Sequence, residues 1–116
     1  MGRLSHLDPN DKPVLIYATY PDAETAEAGG RTLVEAGLVA CVNILPGMIS
    51  VYRWDGMVGR ATECVAIFKT RSGLAERVIH AARERHPYTT PAFVVLPVEG
   101  GLTAYLDWIA ASTRPD

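Results

Sequence analysis

His86 is the residue of this chain whose type and position best suit chemistry. It follows a predicted helix and precedes Pro87-Tyr88, in a rigid loop that ends at Pro91. A fixed imidazole beside a tyrosine is a usable ligand for a divalent metal ion. A histidine in the last turn of a helix can equally cap free carbonyl groups and interact with the helix dipole. A metal site needs three or four converging donors, and the local sequence offers one, so both interpretations stay open.

Lys69 and Arg71 form a second candidate for chemistry. They alternate with Thr70 and Ser72 just before a predicted helix, and a helix N-terminus with adjacent cations can hold a phosphate or a carboxylate. The alternative is an exposed charged strand end that is followed by an ordinary Ser72 N-cap. The pattern therefore predicts either a small-anion site or a solvated edge.

The motifs of common enzymes are missing from the sequence. It contains no Gly-x-Ser-x-Gly elbow, no Cys-x-x-Cys pair, no glycine-rich phosphate loop and no two histidines paired at helical spacing. His6 lies in the N-terminal segment, and His80 lies on the predicted solvated side of a helix. These observations favour a protein without enzymatic activity.

Cys41 and Cys64 each lie inside an apolar run that is typical of a strand. A hairpin that turns within residues 55–60 places Cys64 opposite Val51, and this register argues against a disulfide between the two cysteines. We therefore predict two buried, reduced cysteines that act as small hydrophobic residues.

Composition and charge limit the function classes further. The 116 residues are 48% hydrophobic and 21% charged, with a formal net charge of −2, which is typical of one soluble globular domain. This balance gives no electrostatic footprint for nucleic acid or an anionic membrane, and no apolar run reaches the roughly 18 residues of a transmembrane helix. The N-terminus lacks an apolar signal segment, so we expect a flexible leader over 1–12, a single domain over 13–116 and a cytoplasmic location.

Hydrophobic spacing divides the chain into strands and helices. Asp22 is the predicted N-cap of the first helix and Gly37 its stop, and Gly29-Gly30 indicates that this helix approaches the sheet closely. The predicted order is strand 14–20, helix 23–36, strand 38–44 continued by 50–54, strand 63–70, helix 73–85, strand 92–98 and helix 105–111. This order predicts an α+β, ferredoxin-like (split β-α-β) fold with a four-stranded antiparallel sheet, two helices on one face and a C-terminal helix.

The long strand is interrupted at Pro46-Gly47, before Tyr52 and Trp54. Proline cannot donate to a sheet ladder and glycine adopts unusual backbone angles, so the strand must bend or bulge there. Apolar residues also alternate onto both faces of the predicted sheet, whereas two helices cover only one face. The second face needs a cover from the chain itself or from another copy, and we therefore predict a homo-oligomer.

Five blocks of the sequence, in this order, resemble the CutA divalent-cation tolerance family between about Val14 and Ser112: ACVNILPG, SVYRWDG, KTR, HPYTTP and YLDWI. The resemblance implies a ferredoxin-like fold, a tight homotrimer and a non-enzymatic role in tolerance of copper and other divalent cations. The family is also similar in architecture to the trimeric PII signal proteins. The alternative function is therefore a PII-like regulator that binds a small anionic ligand near Lys69 and Arg71 in the subunit clefts.

The resemblance carries one metal ligand of the family onto this chain, His86. The glutamate that is usual after the following proline falls at Ala92, and a cysteine of some members falls at about Ala18, so both donors are missing. The trimer can bring other donors near His86, and the candidates are Cys41 and Tyr88. The implied ligand is copper or another divalent cation, and the fold requires no cofactor.

The interrupted strand is the predicted assembly element. The resemblance implies that residues 40–44 stay in their own sheet while residues 50–54 reach a neighbouring subunit. The predicted trimer-interface residues are Pro46, Gly47, Tyr52 and Trp54.

Overall fold

Strands and helices follow one another in the predicted order. The computed structural model describes residues 2–3, by their backbone, and 8–115. Its elements are β1 (Gly2–Arg3), a 3-10 turn (Pro9–Asp11), β2 (Pro13–Tyr20), α1 (Ala23–Glu35), β3 (Cys41–Trp54), β4 (Met57–Arg71), a 3-10 turn (Ser72–Leu74), α2 (Ala75–Glu84), β5 (Phe93–Pro97), β6 (Gly100–Gly101) and α3 (Thr103–Ala111). Within residues 2–3 and 8–115, none of the helices combines the length and the apolar character of a transmembrane span.

The main sheet is antiparallel throughout, with its strands in the order β3-β4-β2-β5. One face carries alternate residues of β2 and β4 that are buried under the helices, including Ile16, Ala18 and Phe68. Leu33 of α1 and Val78 of α2 complete this core. The arrangement confirms the predicted ferredoxin-like fold.

Helix α1 begins and ends where the sequence predicts. The Asp22 carboxylate accepts a hydrogen bond from the backbone N–H of Thr25 at 2.7 Å, and Gly37 has a φ of +72°, a left-handed conformation that suits glycine. The predicted close approach of this helix to the sheet is confirmed at Gly30. A Cβ added at Gly30 would lie 2.6 Å from Cγ1 of Val42.

The predicted N-cap of the second helix is wrong. Ser72 starts a 3-10 turn that precedes α2, and no side chain caps either element. The Ser72 hydroxyl donates to the carbonyl of Pro9, and its N–H donates to the carbonyl of Lys12 at 2.8 Å. The hydroxyl therefore fastens the N-terminal segment and satisfies no N–H group of the helix.

The break at Pro46-Gly47 is a bulge, as predicted. The pairing of β3 with β4 shifts register between Leu45 and Met48, and Gly47 has a φ of +81°. Beyond the bulge the two strands run on past the end of β2, because Tyr20 pairs with Cys64. This two-stranded extension makes the molecule 47 Å long and its radius of gyration 15.0 Å, against about 13 Å for a compact chain of this length.

The turn at the tip is tighter than predicted. Trp54 pairs with Met57, so only Asp55 and Gly56 form the loop, and both have a positive φ, of 51° and 76°. This is the geometry of a type I′ hairpin, which an Asp-Gly pair favours. The prediction of a turn over 55–60 is wrong because β4 begins at Met57.

The tighter turn also corrects the register of the cysteines. Val51 lies opposite Arg60, whereas Cys41 lies opposite Lys69. Both cysteines are free thiols. The prediction that no disulfide joins them is confirmed, although the strand register differs from the predicted one. Cys64 is buried, as predicted, and this burial raises the pKa of its thiol. The prediction of burial is wrong for Cys41, which is only half-buried.

The chain itself covers part of the second face of the sheet. Leu106 and Ile109 of α3 are buried against Ala40 and Val98. The short β1 pairs with β6, a pairing that the sequence pattern does not reveal. The predicted leader over 1–12 and the single domain over 13–116 stay predictions, and Met1 and residues 4–7, with His6, lie outside the described residues.

Candidate functional site

His86 lies in a pocket of aromatic rings at the end of β2. Its ring centroid is 4.4 Å from that of Tyr20, 4.8 Å from that of Tyr88 and 5.8 Å from that of Phe93. Only 9% of His86 is exposed. Burial also raises the pKa of Tyr20 to about 12, which indicates that the neighbouring phenol stays neutral.

Both nitrogens of the His86 ring take part in hydrogen bonds. Nε2 lies 2.7 Å from the carbonyl oxygen of Thr19, and Nδ1 accepts the backbone N–H of Tyr88 at 3.1 Å. A carbonyl oxygen can only accept, so we assign the proton of the neutral ring to Nε2. The lone pair of Nδ1 is already used, and a metal ion would have to displace one of these two partners.

These bonds also decide against helix capping by the imidazole. The ring joins the end of β2 to the loop that follows α2, and it bonds no carbonyl of the helix. The prediction that the His86 side chain caps α2 is therefore wrong, because Thr19 and Tyr88 offer the buried ring a partner for each nitrogen.

Tyr88 connects this pocket to the base of the hairpin. Its hydroxyl donates to the Glu63 carboxylate at 2.8 Å. Burial, with a further contribution from Glu63, raises the pKa of Tyr88 to about 12, so the hydroxyl stays protonated near neutral pH. A protonated phenol is a poor metal ligand, and Tyr88 is suited to hold the loop against β4.

Cys41 is separated from the other two predicted donors. It lies opposite Lys69 of β4, and Lys69 lies opposite Leu15 of β2. His86 bonds the carbonyl of Thr19, which is four positions further along β2. Four strand residues span about 13 Å. The structure thus brings His86 and Tyr88 together and leaves Cys41 apart, and in the described part of the chain no three His, Cys, Asp or Glu side chains form a group that could hold a metal ion.

The predicted anion-binding cations are both engaged within the chain. The Lys69 ammonium donates to the Tyr105 hydroxyl at 2.8 Å, and this bond raises the pKa of Lys69. Arg71 is buried, and its guanidinium donates to the carbonyls of Asn10 at 3.2 Å and Arg114 at 2.7 Å. Lys69 therefore joins β4 to α3. Arg71 joins β4 to the backbone at Asn10 and at Arg114.

The hairpin beyond the bulge exposes large apolar side chains. Exposed fractions are 44% for Tyr52, 61% for Trp54 and 73% for Met57, and one face of the hairpin carries these three residues. The Tyr52 ring lies across Gly59, where an added Cβ would sit 2.8 Å from the ring. The opposite face carries Ile49, Val51 and Val58, which are also exposed.

Sequence reasoning missed Thr19, Glu63 and Gly59, which position the predicted site residues. Thr19 acts through its backbone carbonyl, for which the sequence carries no signal. Glu63 precedes an apolar run and looks like an ordinary strand end. The single glycine at 59, facing Tyr52 across a hairpin, was the one available signal, but the wrong turn prediction hid it.

Comparisons with known proteins agree with this architecture. The family model described as "CutA1 divalent ion tolerance protein" matches residues 14–112. "Protein CutA, chloroplastic" of Arabidopsis thaliana is 39% identical over 101 residues, which are 87% of this chain and 56% of that protein. The chain therefore spans just over half the length of this curated relative.

Two solved structures are similar over nearly their whole length. The crystal structure of CutA1 from Oryza sativa has a TM-score of 0.88 at 34% identity, covering 94% of this chain and 100% of that one. The structure of the periplasmic divalent cation tolerance protein CutA from Archaeoglobus fulgidus has a TM-score of 0.84 at 40% identity, covering 88% and 99%.

Proposed function

Because the chain belongs to the CutA1 divalent ion tolerance family, we propose that it acts as a non-catalytic homotrimer in the tolerance of divalent cations, copper among them. The observation that carries the proposal is the exposed apolar hairpin beyond the bulge at Pro46-Gly47. A trimer gives this hairpin a partner, and binding of a cation gives the assembled protein its role.

The hairpin supports assembly because it lacks a core of its own. A two-stranded ribbon is marginally stable in water by itself, and large exposed apolar patches mark interaction sites. Tyr52 and Trp54 supply aromatic anchors of the kind that dominate interfaces. The uncovered part of the sheet adds Val94 and Leu96, which are both exposed.

The chemistry of the described side chains supports a non-catalytic role. The ring nitrogens of His86 serve the fold, and Cys64 is a buried thiol whose raised pKa disfavours the nucleophilic thiolate. Cys41 lies beside Lys69 with no histidine in the register, so no nucleophile is paired with a general base there.

Copper coordination by His86, Tyr88 and Cys41 stays a prediction. The adjacency of His86 and Tyr88 supports it, whereas the hydrogen bonds of the His86 ring and the distance to Cys41 oppose it. The PII-like alternative has less support than the tolerance role, because Lys69 and Arg71 already bond groups within the chain.

A cytoplasmic location is part of the proposal. The relatives differ in this respect, since one is named chloroplastic and another periplasmic.

Growth under copper stress tests the tolerance role. We expect the wild-type chain to restore growth at elevated Cu²⁺ to a bacterial strain that lacks its own CutA protein. A Val51→Glu/Trp54→Glu variant should fail, because it is designed to stay monomeric. Restored growth with this variant, or no rescue by the wild type, contradicts the proposal.

A further inference from the structure

A cavity of about 260 Å³ lies between α2 and the loop that carries His86. Its lining combines one cation and two hydroxyl groups with three apolar side chains. In chain order these residues are Ile79, Arg83, Thr89, Thr90, Pro91 and Phe93. Because no carboxylate belongs to this described lining, the electrostatic balance of the cavity wall is positive.

The polar groups of this cavity have no partner within the described chain. The Arg83 guanidinium is exposed, and it makes no hydrogen bond or ion pair with any group of residues 2–3 and 8–115. The hydroxyls of Thr89 and Thr90 are exposed as well and have no partner in the same ranges. The donors of all three side chains are therefore free for a ligand.

The last carbonyl groups of α2 are already satisfied beside the cavity. Such carbonyls carry partial negative charge at a helix C-terminus and repel anions. Those of Ala82 and Arg83, however, accept the backbone N–H groups of Arg85 and His86 at 3.3 and 3.1 Å. The neighbouring Glu84 carboxylate lies 3.1 Å from a histidine ring nitrogen on the same helix. The guanidinium of Arg83 therefore determines the sign of the charge that the cavity attracts.

The donors of the cavity suit a phosphate group. A guanidinium offers two parallel N–H groups to an oxyanion, and each threonine hydroxyl can donate one further bond. A phosphate monoester has three terminal oxygens to accept these bonds, whereas a carboxylate has two. Ile79, Pro91 and Phe93 provide an apolar wall. The volume is below the roughly 300 Å³ at which pockets for drug-sized ligands begin, so the ligand is small.

We propose that this cavity binds a small phosphate monoester. Arg83 and the hydroxyls of Thr89 and Thr90 hold the phosphate, and the hydrocarbon part of the ligand lies against Phe93.

The cavity is separate from the cations Lys69 and Arg71. Arg71 lies opposite Pro13, the first residue of β2, whereas Phe93 lies opposite Ala18 near the other end of that strand. An anion in the cavity is thus at the opposite end of the sheet from the anion site that the sequence predicts, and its binding does not depend on the tolerance role.

Nuclear magnetic resonance titration with butyl phosphate tests this site. The full-length protein is labelled on its backbone amides and held at constant ionic strength, because salt screens the pairing with Arg83. The amide signals of Thr89 and Thr90 should shift and reach saturation. The ring signals of His86 should also shift, because its ring centroid is 5.8 Å from that of Phe93. Butyrate should bind more weakly because it lacks a third oxygen, and butanol should cause no shift.

Three substitutions at exposed positions provide the matched comparison. Arg83→Gln should weaken the binding of butyl phosphate by roughly tenfold or more, because hydrogen bonds to a charged group are lost. Thr89→Val, which keeps the shape and removes the hydroxyl, should weaken it by a smaller factor. Arg77→Gln removes another exposed arginine of α2, outside the cavity lining, and should leave the affinity unchanged.

Three results overturn the inference. They are the absence of a saturable shift of the Thr89 and Thr90 signals, equal affinity in Arg83→Gln and the wild type, and equal losses in Arg83→Gln and Arg77→Gln. The last result means that the phosphate responds to the overall positive charge of α2. Butyrate binding as tight as that of butyl phosphate contradicts the assignment to phosphate monoesters. The growth test under copper stress decides the tolerance role separately.

Discussion

His86 shows how one residue can suit either a metal or the fold. In the sequence it stands beside a tyrosine at a loop, which is a suitable position for a metal ligand. In the structure its nitrogens bond the Thr19 carbonyl and the Tyr88 N–H inside an aromatic pocket. The groups that bond the ring are distant in sequence or belong to the backbone, so residue spacing alone could not identify the structural role of His86.

Replacing His86 should destabilise the protein. His86→Ala removes the ring that bonds the part-buried Thr19 carbonyl and Tyr88 N–H and opens a cavity, so we expect a loss of about 2–4 kcal/mol in the free energy of unfolding. Urea denaturation at a fixed protein concentration measures it. His80→Ala, at an exposed position, is the control and should change stability little. Similar losses in both variants contradict a structural role for His86.

The N-cap of α1 should make stability depend on pH. Hydrogen bonding from Thr25 lowers the pKa of the Asp22 carboxyl, so its stabilising contribution is complete above the ordinary carboxyl pKa. That contribution is lost as the pH falls through the lowered value of the folded state. Asp22→Asn keeps an acceptor and removes this titration.

The measurement is the urea midpoint between about pH 6 and about pH 3. The wild type should lose more stability than Asp22→Asn over this range. Equal losses in the two proteins mean that the capping bond does not depend on the charge.

At the scale of elements, the sequence carried the most information where local chemistry acts alone. Asp22 begins α1 and Gly37 ends it, as predicted, and Pro46-Gly47 forms the predicted bulge. The prediction of Ser72 as an N-cap is wrong because its hydroxyl bonds the Pro9 carbonyl, a tertiary partner, and not an N–H group of the helix. The β1 and β6 pairing joins distant segments two residues long, too short for any period to be visible.

The two adjacent glycines of α1 should respond oppositely to alanine. A Cβ at Gly30 would lie 2.6 Å from Val42, whereas one at Gly29 would lie 3.7 Å from the Tyr20 hydroxyl oxygen, an ordinary contact. Gly30→Ala should cost about 1–3 kcal/mol through overpacking. Gly29→Ala should gain up to about 1 kcal/mol in helix propensity.

Thermal and urea unfolding of the two variants check this pair. If Gly30→Ala is as stable as Gly29→Ala, the close packing of α1 on β3 is not tight enough to exclude a methyl group.

At the scale of the whole molecule, the sequence predicts that the second face of the sheet needs a cover, but it does not predict which part of the protein supplies it. Alternation of apolar residues onto both faces is visible in the sequence. The packing of α3 on part of the second face, however, depends on contacts of Leu106 and Ile109 with Ala40 and Val98. The length of the free hairpin depends on a tight Asp55-Gly56 turn. These are long-range properties that a local pattern does not contain.

The solution mass of the protein tests the central claim, that the hairpin assembles this chain into a trimer. The measurement is light scattering after gel filtration at micromolar concentration, on the wild type, on Val51→Glu/Trp54→Glu and on the α1 control Glu24→Lys. We predict about three times the 12.6 kDa chain mass for the wild type and the control, and a monomer for the hairpin variant. A monomeric wild type, or a hairpin variant that keeps the trimer mass, would contradict the claim.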